Sequence, residues 1–335
     1  MEKIVVRMGD GSRIEMSAAE IQQELEAGAM DAAERGGVPP LTDDEIKYLL
    51  DLYRCKDRVV GVEQGKECCL TYDNMTSKIE RAHIPVSKIQ QLLLFERGLG
   101  ADTLELTHID YSFKQCNHVV QYEKPNMEQA VLQTIAPIFY GSMPNLGLYS
   151  VPDGPVVNPA DLLPVGKIDE AQQAYEQMAE YAIKDMVYVG SELYEKAGAD
   201  GINFDTTAAS GDAEFYAALK AVEILHAKYP AMGIEMGMSG EFILGMHAEI
   251  EYDGVRLSGL YHHDNLNLAR KAGVTIFGPA INIATNESLP WNLASSIVFN
   301  KACSEVSEIP VHANLGMGVG GVPLNLTPPL DALSR

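Results

Sequence analysis

AGADGINFDTTAASGDAEFYAALKAVEILHAKYPAMGIEMG, residues 197 to 237, reads as strand, helix, strand. Ala199-Asp200-Gly201-Ile202-Asn203-Phe204-Asp205 is a predicted strand. Asp212 to Tyr229 sets Phe215, Leu219 and Val222 on one face of a predicted helix, which Pro230 ends. Gly233-Ile234-Glu235-Met236-Gly237 is the returning strand. Two strands joined through a helix run parallel by a right-handed crossover, so this stretch places the chain in the α/β class.

The same alternation continues on both sides. Upstream, Tyr175, Met178, Ala182, Met186, Val189, Leu193 and Ala197 step by three and four, and Gly198 supplies a stop. Before that helix come two predicted strands, Thr103–Ile109 and Thr134–Tyr140, the second weakened by Pro137. A helix capped by Ser87 precedes the first of them, and a proline-rich excursion runs from Gly141 to Pro164 after the second. Downstream lie a strand at Gly273–Phe277, a helix from Pro290 through Val306 and a strand at Ile309–Leu315. One more strand is allowed near Gly254–Leu257.

Six or seven strands at intervals of about 35 to 40 residues predict a (β/α)8 TIM-type barrel over residues 61–335, C-terminally incomplete by its last unit. A doubly wound sheet is the alternative. Residues 1–60 read as an N-terminal helical extension. Ser17-Ala18-Ala19-Glu20 and Thr42-Asp43-Asp44-Glu45 are both capping boxes leading into apolar residues at helical spacing.

With 46% hydrophobic residues in 335, the chain can bury a large core. Its 47 acidic and 25 basic residues give a formal net charge of −22, which repels phosphate backbones and anionic membranes. Nucleic acid and membrane are therefore excluded as expected partners. Five cysteines without a C-x-x-C motif indicate a reducing compartment, and the N-terminus lacks the apolar run of a signal peptide. A cytoplasmic location is expected.

In a parallel barrel, residues just past the strand C-termini converge on one rim. There the sequence offers Asp205 with Thr206 and Thr207, Glu235 followed by Glu241, and His312 with Asn314. A carboxylate inside an apolar strand resists burial unless it is paired or functional, which singles out Glu235 and Asp205. His312 suits either a satisfied core histidine or a catalytic one. His262-His263-Asp264 points its side chains in different directions from a helix start and has no third ligand at metal spacing; no metal is expected.

Gly316-Met317-Gly318-Val319-Gly320-Gly321 matches G-x-G-x-x-G, but Pro323, Pro328 and Pro329 leave no helix to hold a pyrophosphate. From Ala199 onward the cationic side chains are Lys220, Lys228, Arg256, Arg270, Lys271, Lys301 and Arg335, and of these Arg256 alone could lie at a strand end. A Schiff-base aldolase would lack its lysine. The predicted rim is acidic and glycine-rich: it suits a small cation such as a protonated amine, yet carries no evident electrophile.

Several unusual strings resemble the dimethylamine:corrinoid methyltransferases. They are Gly201-Ile202-Asn203-Phe204-Asp205-Thr206-Thr207-Ala208-Ala209, Glu251-Tyr252-Asp253-Gly254-Val255-Arg256-Leu257 and Leu315-Gly316-Met317-Gly318-Val319-Gly320-Gly321. Gly100-Ala101-Asp102-Thr103-Leu104-Glu105-Leu106 and Phe139-Tyr140-Gly141-Ser142-Met143-Pro144-Asn145 belong to the same set. The resemblance runs in register from about Arg7 to Arg335.

The resemblance implies a barrel enzyme that takes a methyl group from dimethylamine and delivers it to the Co(I) corrinoid of a separate cognate protein, releasing monomethylamine. No cofactor is expected in the chain itself. The family's reactive group is pyrrolysine, expected beyond Arg335, so the sequence as written is expected to be a truncated and inactive translation. Glu235, Asp205, Glu241 and His312 are then the candidates for handling protons and orienting the adduct. Gly316, Gly318, Gly320 and Gly321, with Asn314, are the candidates for a low wall that a corrinoid can approach. A homo-oligomer is expected. The alternatives are a barrel enzyme binding a phosphate-bearing ligand at the glycine loop, or a non-catalytic paralogue that binds a corrinoid protein.

Overall fold

The computed structural model describes residues 3–9, 12–55, 155–196, 199–204, 207–208, 211–238, 240–245, 249–279 and 286–313. It also describes the backbone alone of 69–71, 78–79, 84–85, 139–142, 197, 205–206 and 314. In chain order the elements are β1 (Lys3–Arg7), β2 (Arg13–Ser17), α1 (Ala18–Gly36), α2 (Asp43–Arg54), β3 (Cys69–Thr71), β4 (Lys78–Ile79), β5 (Ile84–Pro85) and β6 (Phe139–Ser142). There follow α3 (Pro159–Leu162), α4 (Ile168–Glu192), β7 (Gly201–Thr207), α5 (Asp212–Lys228) and β8 (Gly233–Met238). The last are β9 (Glu251–Tyr252), β10 (Val255–Arg256), α6 (His262–Ala272), β11 (Ile276–Gly278), α7 (Leu289–Val306) and β12 (His312–Asn314).

Two compact units divide the chain. The first comprises Met1–Thr107, Ala280–Val306 and His312–Arg335. Both capping boxes form. Ser17 N donates to Glu20 Oε2 at 2.6 Å while Glu20 N donates to Ser17 Oγ, and Thr42 and Glu45 repeat the exchange. Each satisfies two of the amide donors that a helix start leaves open. Gly37 ends α1 at φ 64°, the left-handed conformation that costs glycine least. The predicted helix pair is thus present, preceded by an antiparallel β1–β2 hairpin that the sequence reading did not identify.

Within this unit α1 lies against α7. Gly28 makes the approach possible: a Cβ there would sit 2.2 Å from the carbonyl oxygen of Trp291. Ile21, Leu25 and Ala32 on α1 and Ala294 and Phe299 on α7 are fully buried. Ser288, just before α7, donates its Oγ to Glu24 of α1 at 2.8 Å, and Lys301 of α7 donates its Nζ to Glu45 Oε1 of α2 at 2.8 Å. The short strand β12 pairs in parallel with β3.

The second unit comprises His108–Pro279 and Ser307–Val311. Its centre is a four-stranded parallel sheet in the order β11-β8-β7-β6, in which neighbours in space follow one another in sequence without a reversal. The sheet establishes the α/β class. Ile202, Phe204, Ile234, Met236 and Phe277 are all fully buried. A Cβ on Gly190 of α4 would lie 2.9 Å from Leu225 of α5 and 3.0 Å from Ile202 of β7. The helices therefore cover the sheet face that carries Ile202, and burying each large apolar side chain there contributes about 1.5–3 kcal/mol.

The predicted helices and strands from 168 to 314 are found within a few residues of their expected bounds, because a one-sided apolar stripe of helical period specifies both conformation and buried face. One expectation fails. Gly254–Leu257 does not add a parallel strand: Val255 and Arg256 pair antiparallel with Tyr252 and Glu251 in a two-residue hairpin. Asp253 and Gly254, at φ 52° and 73°, form its turn, and Asp-Gly between strand residues is the sequence signal for such a hairpin. The expected strand at Thr103–Ile109 and the helix from Ser87 lie outside the described residues.

Candidate active site on the sheet of the second unit

Register decides which side chains share a face. Asn203 of β7 pairs with Glu235 of β8, and Glu235 with Ile276 of β11. Side chains alternate along each strand, so Asn203 and Glu235 project from the face opposite Ile202 and Ile234, away from the helices. Both are buried, at 4% and 7% exposure. Their neighbours on this face include five glycines: Gly141 beside Asn203, Gly201 and Gly233 two residues back, and Gly237 and Gly278 two residues forward; Ile276 is the partner beside Glu235. Two polar groups thus stand in a patch that five glycines leave open on several sides, with Ile276 of β11 directly beside Glu235.

Asp205 occupies the next alternate position on β7, where the pairing with β8 slips between Phe204 and Thr207. Such a bulge re-aims side chains at a strand end. The side chain of Asp205 lies outside the described residues. The strand ends at Thr207, whose hydroxyl donates to Phe204 O at 2.9 Å, and Ala208 follows at φ 67°, a conformation strained for a residue with a Cβ. Glu241 is half-buried in the segment after β8. Ile243 and Gly259 hold this segment to the chain before α6, through Ile243 N to Leu260 O at 3.0 Å and Gly259 N to Ile243 O at 2.7 Å. Asp205 thus lies in the C-terminal half of β7 and Glu241 just past the end of the adjacent β8, while Glu235 is the third of the six residues of β8.

His312 belongs to the first unit. It is buried at 5% exposure and pairs with Cys69 across β12 and β3. Asn314 is the last residue of that strand. The glycines at 316, 318, 320 and 321 lie outside the described residues. Arg256 is not at the end of a parallel strand as expected. It sits on the exposed β9–β10 hairpin, where its Nε donates to Ser258 Oγ at 2.7 Å.

The sequence reading passed over Asp212 as an ordinary helix start. It is 1% exposed at the first turn of α5, which β7 and its strained exit feed. Its Oδ1 accepts from Ala213 N at 3.0 Å, its own amide donates to Leu244 O at 2.9 Å, and Oδ2 has no hydrogen-bond partner among the described residues. Burial pushes its carboxyl up to about 6, against the lowering influence of the Ala213 amide, its own amide and Arg256. Glu214, also 1% exposed, and Asp212 act with burial to raise the Tyr175 phenol. Acidic residues in a first helical turn read from sequence as partners for the helix dipole, so nothing marked this group as buried.

The remaining cations are engaged elsewhere. Lys220 pairs with Glu223 at 2.9 Å, Lys228 with Glu195 at 3.5 Å, Lys271 with Asp253 at 2.9 Å, and Arg270 with Glu308. All four sit on α5 or α6. His262 is fully buried in α6 and His263 Nε2 lies 3.7 Å from Asp264. Among the described residues no group of three or more histidine, cysteine or carboxylate side chains converges as a metal site, and no helix is long and apolar enough to cross a membrane.

An acidic and amide-bearing patch on a parallel sheet, bordered by five glycines and without a lysine on its strands, is the kind of site a small amine can enter. The sequence profile of the dimethylamine methyltransferases matches residues 2–335, essentially the whole chain. The chain belongs to the dimethylamine methyltransferase family, and the enzyme class is that of a methyltransferase.

Proposed function

We propose that the protein transfers a methyl group from dimethylamine to the Co(I) corrinoid of a cognate corrinoid protein, releasing monomethylamine. The observation that carries this reading is the Asn203–Glu235 pair, buried on the sheet face turned away from the helices and flanked by five glycines. Dimethylammonium is a compact cation with two N–H donors and two methyl groups. A buried carboxylate attracts it and accepts its proton, and missing side chains leave room for the methyls.

In this reading the chain is a TIM-type barrel over 61–335 with an N-terminal helical extension at 1–60, acting in the cytoplasm. The unreversed strand order supports it, since a barrel adds each strand beside the one before. The sheet face bearing Glu235 is then the barrel interior.

The family's pyrrolysine supplies an electrophilic imine carbon for the amine, and the partner's corrinoid supplies the methyl acceptor. The residues of this chain bind, orient and move protons. Glu235 takes a proton from dimethylammonium, so that the amine lone pair becomes available, and returns a proton to the departing monomethylamine. Asn203 offers an amide donor and acceptor beside it. Asp205 and Glu241, at the strand exits, hold positive charge at the mouth, and His312 is a further proton carrier. Asn314 and the glycines at 316, 318, 320 and 321 are the candidates for admitting the corrinoid. Positioning the methyl group toward cobalt is the main task of such a site.

The test is methylation of a Co(I) corrinoid protein by the pyrrolysine-bearing enzyme, followed optically. Glu235→Gln should lower the rate with dimethylamine by a factor on the order of 10²–10⁴. Unchanged turnover removes Glu235 from the site. Turnover with trimethylamine or monomethylamine but not with dimethylamine overturns the substrate.

A further inference from the structure

The outer surface of α4 carries Glu180, Lys184, Tyr188, Glu192 and Lys196, each four residues from the next, the last of them in the helical turn that continues α4. Residues spaced by four form a continuous ridge along a helix. Glu180, Lys184, Tyr188 and Lys196 are exposed and Glu192 is half-buried. Tyr188, at 65% exposure, is a large aromatic presented to solvent at the centre of the ridge. Beside it runs an open groove of about 410 Å³ between α4 and α5, lined by Ile183, Val187 and Ile224. Ile224 is itself 46% exposed.

The order of charges along this ridge is a palindrome of opposite signs. Lys184 and Glu192 lie one step to either side of Tyr188; Glu180 and Lys196 lie two steps away. A second copy of α4 laid antiparallel across the first, with the two-fold axis at Tyr188, brings Lys184 against Glu192 and Glu180 against Lys196, each twice. A parallel arrangement brings every charge against its own like. Ridges of this spacing pack into each other's grooves at a crossing angle near −50°, which keeps the two ridges side by side. The apolar groove then receives the aromatic of the other copy, the usual composition of an interface centre.

We propose that this face of α4 and α5 is an isologous interface with a second copy of the chain, centred on Tyr188. The existing Glu192–Lys196 pair, at 2.5 Å, exchanges partners on association. The exchange costs little, because an isolated exposed pair contributes little to stability. The ridge lies on the helix layer, and Glu235 on the sheet face turned away from it, so association can be read independently of methyl transfer.

Sedimentation equilibrium on the full chain tests the proposal with charge reversals. Lys184→Glu alone, or Glu192→Lys alone, should weaken association about tenfold or more, since each sets like charges together twice. The double reversal should restore it to within about threefold of wild type. Tyr188→Ala should weaken it as well, and far-ultraviolet circular dichroism should show all variants folded. A wild-type chain that stays monomeric at about 100 μM overturns the proposal. So does a dimer indifferent to both single reversals, or one that the double reversal fails to restore.

Discussion

Asn203 and Glu235 stand side by side across β7 and β8, buried on the sheet face opposite the one that α4 and α5 cover. Five of the positions around them carry no side chain. Gly237 is the neighbour one pair forward of Glu235, and it does not occupy the left-handed backbone region. Valine is therefore allowed by the backbone at this position and fills the patch. Gly237→Val should leave the far-ultraviolet spectrum unchanged and raise KM for dimethylamine about tenfold or more. An unchanged KM would show that the substrate does not use the space beside Glu235.

Asp212 gives the second unit an identifiable pH dependence. Burial raises its carboxyl from 3.8 in the unfolded chain to about 6 in the fold, so its ionisation is disfavoured by folding. Its effect on stability is absent below pH 4, and a cost grows as pH rises from about 4 to 6 and persists above. Asp212→Asn keeps the acceptor for Ala213 and cannot ionise. The variant should be more stable than wild type at pH 7.5 by roughly 1–2 kcal/mol and nearly equal to it at pH 4, as read by urea denaturation. A variant less stable than wild type at pH 7.5 would mean that the carboxylate is stabilised by a bound cation.

Glu45 behaves in the opposite sense. The Lys301 ammonium and then the Thr42 amide hold its carboxyl well below the usual value, to about 2. Its contribution is present above pH 4.5 and is lost as pH falls toward 2. The pair is more than a quarter open to solvent on each side, which screens it. Lys301→Ala should cost about 1 kcal/mol at pH 7 and much less at pH 2.5. Equal losses at both values would assign the cost to packing.

Gly28 tests the closeness of α1 and α7. Alanine favours a helix over glycine by about 1 kcal/mol, yet the added methyl would lie 2.2 Å from the Trp291 carbonyl oxygen. Overpacking of this kind costs about 1–3 kcal/mol and leaves the variant less stable on balance. Gly28→Ala should lower Tm by several degrees in calorimetry. A raised Tm would show that the helix propensity outweighs the contact.

The sequence by itself determined the local conformations and the family. Capping boxes need only residues three apart, and helix faces need only a 3.6-residue stripe, so α1, α2, α4 and α5 were legible before any folding. The strings around Gly201 and Glu251 carried the resemblance to the dimethylamine methyltransferases, which the profile over residues 2–335 bears out. Glu235 stood out because a charge inside an apolar strand is costly. The tertiary structure decided what stands beside it. Strand register, set over 30 residues away in sequence, puts Asn203 and the glycines on its face. Burial of Asp212 depends on the packing around the start of α5, which a short sequence window does not contain. The Asp253-Gly254 turn shows the reverse case: a local signal for a hairpin was present, but the count of barrel strands obscured it.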